Sequence, residues 1–432
     1  MKLLNNLRYI SWYLLELSKK DSIYKRLKSI ERIMNDDNEY NQYVNERLDY
    51  ILNYALDHQK YLSKFNISGG VKLKDFPIVN KNIIINNLSA FQSDEYDHSK
   101  LHVKSTSGST GVPFKVTQNS GKRKQVLAEV LYFSKLMGYK PGKKFIYLRN
   151  LESGYVKSKL MSFLQNESVI LTRMYDDDTL DGIVKKIANM ENETTILGYA
   201  STLQAVSSFM EKHDILLNNV SGIISGSETL TSKTRILTQR QFNCPVVSRY
   251  SNQEMGILAQ EEKEDEFLLN RASYVFEILS LDDDTPVKDG EMGRIVITDL
   301  YNTATPLIRY DTGDIGVIET RKNRPYLVKI HGRKSDLLYT TKNQPVSHFA
   351  FDDIFKHNPI VEQYQLIQDN RTDITVNIIT KNHDKIDEKE YTKLIKETLG
   401  EECNVSFKYL ETTPISASGK FRCVICNYKP SL

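Results

Sequence analysis

The densest run of small polar residues in this chain is STSGSTGVP, from Ser105 to Pro113. Backbone N–H groups and hydroxyls in such a loop can surround the phosphates of a nucleotide, and its glycines allow close approach. The lysine that the pattern G-x-x-x-x-G-K-[ST] requires is absent, so the segment is not a Walker A loop. Taken alone, it could equally be an ordinary Ser/Gly-rich surface loop.

Two further polar segments each follow an apolar run. Residues 226–228 (GSE) end the run GIIS, and a glycine turn at a strand end is where open α/β sheets bind ligands. A plain strand-to-helix turn would have the same composition. In residues 249–254 (RYSNQE), Tyr250 offers a ring that could stack on a base, and Glu254 offers a carboxylate that could hold Mg²⁺ beside phosphates.

The last two segments lie towards the C-terminus. In residues 307–314 (LIRYDTGD), Asp314 follows a glycine turn between apolar strands, where a carboxylate can accept both hydroxyls of a ribose. In residues 414–422 (PISASGKFR), Lys420 stands on a Ser-Gly turn and could reach a developing negative charge. A solvated surface lysine is the plain alternative for Lys420.

The pattern of apolar residues predicts the elements that must position these segments. The first hundred residues have helical periodicity, and from residue 144 short apolar runs alternate with amphipathic stretches, which indicates α/β architecture with parallel strands. A β-rich stretch follows. The last hundred residues read strand (362–368), strand (373–380), helix (387–399) and strand (405–410), a small α+β unit. We therefore predict an N-terminal domain over 1–333 and a C-terminal domain over 334–432.

Composition narrows the class of protein further. The formal net charge of +3 over 432 residues gives no reason to expect a nucleic-acid partner. Four scattered cysteines suit neither a disulfide framework nor a zinc site, and reduced thiols are expected. Because no segment could span a bilayer, we expect the protein in the cytoplasm.

The N-terminus predicts an amphipathic helix with apolar residues at three- and four-residue steps. The default expectation is that this helix packs its apolar stripe on the protein's own surface. Docking on a membrane surface or a partner is the alternative, because the stripe carries Trp12 and Tyr13 and is followed by Lys19 and Lys20.

Taken together and in this order, the five segments resemble the adenylate-forming superfamily of acyl-CoA synthetases, luciferases and nonribosomal adenylation domains. The short length, the helical N-terminus and the YDTGD form are most similar to the phenylacetate-CoA ligase branch and, within it, to CapK-type proteins of bacterial surface-polysaccharide clusters. The resemblance implies a large N-terminal domain and a small mobile C-terminal domain. It also implies ATP-dependent formation of an acyl-AMP, then acyl transfer to coenzyme A, a carrier protein, or a sugar amine or hydroxyl.

The resemblance also implies a role for each site residue. Lys420 would bridge the carboxylate and the α-phosphate, and Glu254 would help bind Mg²⁺. Asp314 and Arg333 would bind the ribose, and Tyr250, in the segment that includes Ser251, would stack on the base. The remaining cofactor-binding residues form two groups, a phosphate loop and a turn lining the adenine pocket: Ser107, Gly108, Ser109, Thr110 and Gly111; Gly226, Ser227 and Glu228.

Two departures from the family pattern keep alternatives open. Gln253 stands where serine or threonine is usual. After Arg333, a run with hinge residues Ser335 and Asp336 lacks the glycine that lets a thiol acceptor approach, so the acceptor need not be coenzyme A. An aryl-CoA ligase of catabolism and a nucleotide-binding scaffold without catalysis are the competing readings. The acid could be an aryl acid, a fatty acid or an amino acid.

Overall fold

The computed structural model describes residues 2–65, 67, 71–105, 114–149, 159–172, 176–322, 324–333, 337–346, 349–355, 358–381, 384–412 and 421–428. Its helices are α1 Lys2–Leu17, α2 Ile23–Asn35, α3 Asp37–His58, α4 Lys81–Asn86, α5 Leu88–Phe91, α6 Ser120–Lys135, α7 Lys159–Gln165, α8 Asp177–Ala188, α9 Ala200–Lys212, α10 Ser232–Phe242, α11 Phe349–Phe355 and α12 Glu388–Leu399. Short 3₁₀ turns cover Lys60–Lys64, Leu73–Asp75 and His98–Lys100.

The strands are β1 Val79–Asn80, β2 His102–Ser105, β3 Lys115–Gln118, β4 Phe145–Arg149, β5 Glu167–Leu171, β6 Thr194–Gly198, β7 Val220–Gly226, β8 Val246–Asn252, β9 Gly256–Lys263, β10 Glu266–Leu269, β11 Tyr274–Leu279, β12 Met292–Asp299, β13 Tyr310–Arg321, β14 Arg324–Arg333, β15 Leu338–Tyr339, β16 Pro345–Val346, β17 Val361–Gln368, β18 Asp373–Thr380, β19 Asn404–Tyr409 and β20 Val424–Cys426.

A twelve-stranded mixed sheet forms the centre of the large domain, in the order β11-β12-β13-β14-β10-β9-β8-β7-β6-β4-β5, with β1 beside β13. Strands β4 to β8 pair in parallel with one another, whereas β8 to β14 pair antiparallel with one another. The junction between the two halves is the β8–β9 hairpin, which carries Tyr250 and Glu254. The predicted α/β class is confirmed.

The parallel half follows from its sequence pattern. The central strands β6 and β7 are almost wholly buried, as expected for strands covered on both faces. Helix α8 buries Leu180, Ile183, Val184 and Ile187, which lie at three- and four-residue steps, and Asp176 caps its first turn by accepting the N–H of Thr179. These side chains join one core with residues of β4, β6, β7 and α9.

A separate four-stranded sheet, in the order β19-β18-β17-β20, forms the small C-terminal domain. Its hydrophobic core draws only on residues from Leu338 onwards, among those that the structure describes. The predicted order of strand, strand, helix and strand is confirmed, with every boundary within one residue. Asp387 caps α12 by accepting the N–H groups of Lys389 and Glu390.

The expectation for the N-terminal helix is half right. Helix α1 forms, but its apolar stripe is exposed rather than packed on the protein: Leu3, Leu7 and Leu14 are 74%, 52% and 59% exposed. Polar side chains of α1 face the protein instead, and Asn5 donates a hydrogen bond to Glu191. Within the described ranges, no helix is long and apolar enough to cross a membrane.

Candidate active site

The predicted phosphate loop connects two paired strands. Strands β2 and β3 form an antiparallel ladder that ends at the pair Ser105 and Lys115. The predicted loop residues 107–111 lie outside the described residues. Phe114, directly after the loop, is buried and stacks on Tyr310 of β13 with ring centroids 6.2 Å apart. This stack places Phe114, the first described residue after the loop, beside the start of β13.

Two tyrosine–carboxylate pairs join the β8–β9 hairpin to the start of β13. Tyr250 and Glu254 are four residues apart on the hairpin segment, and Tyr310 and Asp314 are four apart on β13. The Tyr250 hydroxyl donates to Oδ2 of Asp314 at 2.6 Å, and the Tyr310 hydroxyl donates to Oε1 of Glu254 at 2.9 Å. These crossed bonds bring the two predicted site carboxylates into one cluster.

The electrostatics of the two tyrosines follow from this pairing. Burial raises the pKa of Tyr310 well above its ordinary value, and the Glu254 carboxylate raises it further. Burial likewise raises the pKa of Tyr250, with a further contribution from Asp314. Both phenols therefore stay protonated and act as donors, so the carboxylate oxygens that they contact are fixed acceptors.

Glu254 has the chemistry of a magnesium ligand. It is 8% exposed, and its backbone carbonyl accepts a hydrogen bond from Gln118 at 3.2 Å. Its Oε1 is bound by Tyr310, and Oε2 has no hydrogen bond within the described part of the chain. A carboxylate that is held through one oxygen can offer the other oxygen to Mg²⁺, which binds one or two carboxylates beside phosphates. Among the described residues, no group of three His, Cys, Asp or Glu side chains could hold a metal alone.

Arg333 and Lys81 complete the positive side of the cluster. Arg333 ends β14 directly opposite Asp314 in the β13–β14 ladder. Lys81 follows β1, which pairs in parallel with the start of β13. Burial lowers the pKa of Lys81, the charge of Arg333 lowers it further, and Glu254 raises it. Lys81 was not singled out in the sequence, because only the β1–β13 pairing brings it to the site.

The turn after β7 holds Glu228 at the boundary between the two domains. Gly226 ends β7, and Ser227 has the left-handed φ of 69°, which turns the chain sharply. Glu228 Oε2 accepts the N–H of Ser201 at 2.8 Å in the first turn of α9, where a carboxylate satisfies an open donor. Oε1 of Glu228 accepts the N–H of Phe421 at 3.0 Å.

Phe421 is the residue after Lys420, which itself lies outside the described residues, as do the hinge residues Ser335 and Asp336. Further contacts between the domains run from Gln204 to the carbonyl of Glu362 at 2.5 Å and from Lys233 to the carbonyl of Asn358 at 3.3 Å. The C-terminal domain therefore docks on α9, α10 and the Glu228 turn, which brings the start of β20 next to the large domain.

The residues predicted to line the adenine pocket and to stack on the base lie on the adjacent strands β7 and β8 or directly after β7. Gly226, Ser227 and Glu228 share one turn at the carboxyl end of β7, the neighbour of β8 in the sheet. Ser251 and Tyr250 end β8 on the adjacent strand. Tyr250 is held through its hydroxyl, a contact that the sequence did not predict. Asn343, in the run after Arg333 that lacks the family glycine, has the left-handed φ of 63°.

Comparison with known proteins places this geometry in a family context. Residues 338–427 match the family model of the CapK C-terminal domain. The chain is 26% identical over 411 residues to Protein CapK of Staphylococcus aureus, covering 90% of this chain and 89% of that protein. The chain is a CapK homologue.

Solved structures agree at the level of the fold. The chain is similar to 2-hydroxyisobutyryl-CoA ligase in its postadenylation state in complex with 2-HIB-AMP, with a TM-score of 0.70, 15% identity, and coverage of 89% of this chain and 88% of that one. Against the same ligase with 2-HIB-AMP and CoA in the thioesterification state, the TM-score is 0.57, at 16% identity and 90% coverage of both chains. The chain has the fold of the adenylate-forming superfamily, as its motifs predicted.

Proposed function

We propose that the chain is an ATP-dependent, AMP-forming ligase that activates a carboxylic acid as an acyl-AMP and passes the acyl group to an acceptor. The observation that carries the proposal is the pair of crossed Tyr–carboxylate bonds. They bring Glu254 and Asp314 together at the junction of the sheet, which suits one nucleotide contacted at its phosphates and at its ribose. The fold that the chain shares with a ligase crystallised with an acyl-AMP supports the same reading.

ATP would lie across the carboxyl ends of β7 and β8, the edge where parallel sheets bind ligands. The carboxylate of Asp314 accepts the ribose hydroxyls beside Arg333, the ring of Tyr250 faces the base, and the Ser105–Pro113 loop donates to the phosphates. Glu254 would hold Mg²⁺ through Oε2, and the ion would neutralise charge on the phosphate oxygens.

Lys420 supplies the remaining charge in this proposal. When a carboxylate attacks the α-phosphate of ATP, negative charge increases on the non-bridging oxygens, and pyrophosphate leaves as the acyl-AMP forms. An ammonium held in a site with little water stabilises that charge more than it would in bulk solvent. The hydrogen bond from Phe421 to Glu228 positions the residue next to Lys420. The higher TM-score against the postadenylation state supports a domain arrangement suited to this half-reaction.

Coenzyme A is the first acceptor to test, since Asn343 gives the run that lacks the family glycine a residue in left-handed conformation. A carrier protein and a sugar amine or hydroxyl are the other acceptors in this proposal, and the CapK homology supports a role in surface-polysaccharide biosynthesis. The candidate acid substrates are aryl acids, fatty acids and amino acids. We place the reaction in the cytoplasm, where ATP is available.

The test is acid-dependent ATP–pyrophosphate exchange over a panel of carboxylic acids, with wild type, Lys420→Ala and Lys393→Ala in parallel. Lys393 is a matched control, because its side chain is 76% exposed on α12 of the same domain. We expect Lys420→Ala to lower the exchange rate by roughly 10²–10³-fold, the scale of losing one preorganised donor, and Lys393→Ala to leave it unchanged.

The outcomes separate the candidate functions. Exchange with some acids in wild type and equal exchange in Lys420→Ala would remove the catalytic role of Lys420. Measured ATP binding without exchange for any acid would favour the scaffold alternative. Formation of a CoA thioester with an aryl acid would favour the catabolic aryl-CoA ligase.

A further inference from the structure

Helix α1 has its polar and apolar sides reversed relative to an ordinary surface helix. At 100° per residue, its exposed apolar side chains cover about half of the helix circumference. They are between 42% and 74% exposed: Leu3, Leu4, Leu7, Ile10, Leu14, Leu15 and Leu17. A helix that only covered its own protein would turn this stripe inwards.

The opposite side of α1 is attached to the protein by polar contacts and by Tyr13, which packs edge-on against Tyr24 of α2 with ring centroids 4.8 Å apart. Asn5 donates to Glu191 at 2.6 Å, and the guanidinium of Arg8 lies 4.8 Å from the ring of Phe163. Glu16 is 3% exposed and accepts the N–H of Ile23 at 2.5 Å. These contacts fix which side of α1 faces outwards, so the exposure of the apolar stripe is built into the fold.

Two elements adjacent to α1 also expose apolar side chains. Helix α7 and the edge strand β5 add side chains that are between 43% and 67% exposed: Leu160, Met161, Phe163, Leu164, Val169 and Leu171. The amide of Asn166, between α7 and β5, donates to Asn5 of α1 at 3.3 Å, so the three elements are adjacent. We call the exposed apolar side chains of α1, α7 and β5 the N-terminal apolar face. Apolar patches of this kind on otherwise ordinary surfaces mark sites that dock on something.

The charges of α1 and the residues directly after it favour an anionic occupant. Residues 1–20 contain the basic residues Lys2, Arg8, Lys19 and Lys20, and their one acidic residue is Glu16. Glu16 is buried and forms an ion pair with Lys19 at 2.5 Å. Two copies of the chain joined through α1 would bring these positive charges together, whereas an anionic lipid surface would neutralise them.

We propose that the N-terminal apolar face docks on an anionic membrane surface, with α1 lying in the plane of the interface. Its 16 residues extend about 24 Å, which is shorter than the hydrocarbon core of a bilayer and suits a helix that lies on it. The apolar arc enters the boundary between head groups and acyl chains. Lys20, just after the end of α1, contacts the lipid phosphates. This inference does not depend on the proposed ligase activity.

The test is co-sedimentation of the full chain with vesicles of phosphatidylcholine and phosphatidylglycerol at 7:3, and with pure phosphatidylcholine vesicles. The test variant is Leu7→Glu/Ile10→Glu/Leu14→Glu, which changes only exposed side chains of α1. The control variant is Leu216→Glu/Ile236→Glu, whose side chains are 63% and 64% exposed elsewhere on the molecule. Thermal melting verifies that both variants fold.

We expect wild type and the control variant to sediment with the anionic vesicles and more weakly with phosphatidylcholine. The triple variant should lose about 10²-fold or more in partition coefficient, because three large apolar side chains no longer enter the interface. Lys20→Ala should lose about fivefold, the effect of one basic residue near an anionic surface.

Three results would overturn the proposal. The first is wild type that stays in the supernatant with both vesicle types. The second is a triple variant that sediments as well as wild type. The third is a wild-type dimer in light scattering that the triple variant does not form and that vesicles do not dissociate, which would make the face a contact between two copies.

Discussion

Glu228 connects the large domain to the residue beside Lys420, so its substitution tests how the lysine is positioned. Its carboxylate accepts two backbone N–H groups, from Ser201 at 2.8 Å and from Phe421 at 3.0 Å. A hydrogen bond to a charged group contributes about 1.5–3 kcal/mol net. Because the Glu228 side chain is half-buried, we take the lower part of that range for each bond.

The change to make is Glu228→Gln, which keeps one carbonyl acceptor and turns the other oxygen into an amide nitrogen. We expect the ATP–pyrophosphate exchange rate to fall about 5- to 30-fold, the equivalent of 1–2 kcal/mol, because Phe421 and the adjoining Lys420 are held less firmly. Hydrogen-exchange mass spectrometry needs no substrate. It should show faster exchange of the amide that loses its acceptor, at Phe421 or Ser201.

The matched control is Glu211→Gln. Glu211 also bridges the two domains, through Lys381 at 3.4 Å, but both side chains are about one-third or more exposed. An exposed ion pair of this kind contributes little, so the control should behave as wild type in both measurements. Unchanged amide exchange at both Ser201 and Phe421 in Glu228→Ala would refute the two hydrogen bonds. If the amide of Phe421 loses its protection from hydrogen exchange while ATP–pyrophosphate exchange stays at the wild-type rate, the link between these hydrogen bonds and Lys420 is refuted.

The two tyrosine hydroxyls give two further predictions, each of about 1–2 kcal/mol, or 5- to 30-fold. Tyr310→Phe removes the donor to Glu254, so the Mg²⁺ concentration for half-maximal ATP–pyrophosphate exchange should rise. The affinity for ATP measured without Mg²⁺ should stay constant. The same Mg²⁺ dependence in the variant and in wild type would contradict the prediction. Tyr250→Phe keeps the ring but releases Asp314, so the KM for ATP should rise more than kcat falls. A fall in kcat alone would show that the hydroxyl does not position a ribose ligand.

Periodicity in the sequence was enough to predict four elements of the C-terminal domain, namely β17, β18, α12 and β19. Alternation over 373–380 and helical steps over 387–399 are local signals, and the observed elements β18 and α12 begin and end within a residue of them. The same kind of signal predicted α1 but not its orientation. A helical stripe shows that one face is apolar, and it does not show whether that face meets the protein or something else.

The sequence proposes a set of candidate site residues but not the contacts between them. Glu254 and Asp314 stand out because each carboxylate follows an aromatic residue and a turn. Their partners depend on tertiary pairing: Tyr310 is 56 residues from Glu254, and Lys81 arrives through a two-residue parallel strand. No spacing in the sequence encodes such pairings, because they follow from the register between distant strands.

Glu129 gives a prediction about stability and pH. On α6 it is fully buried near Lys122, and burial raises its pKa to about 7, although the charge of Lys122 lowers it. Between the ordinary value of 4.5 and about 7, the native state keeps this proton and the unfolded state loses it. The free energy of unfolding therefore falls as pH rises through this window and is constant above it, a loss of about 3 kcal/mol.

Glu129→Gln removes this titration and keeps the side-chain size. The free energy of unfolding of both proteins is measured with urea at pH 4.5 and at pH 8. On going to pH 8, the variant should gain about 3 kcal/mol in this free energy relative to wild type. The measurement at pH 4.5, where Glu129 is protonated in the native state, is the internal reference. His331, whose pKa burial lowers to about 4, has the opposite pH dependence, but it is present in both proteins and cancels in the difference. Parallel stability profiles for the two proteins would mean that Glu129 is ionised in the folded state, so that Lys122 outweighs the cost of burial.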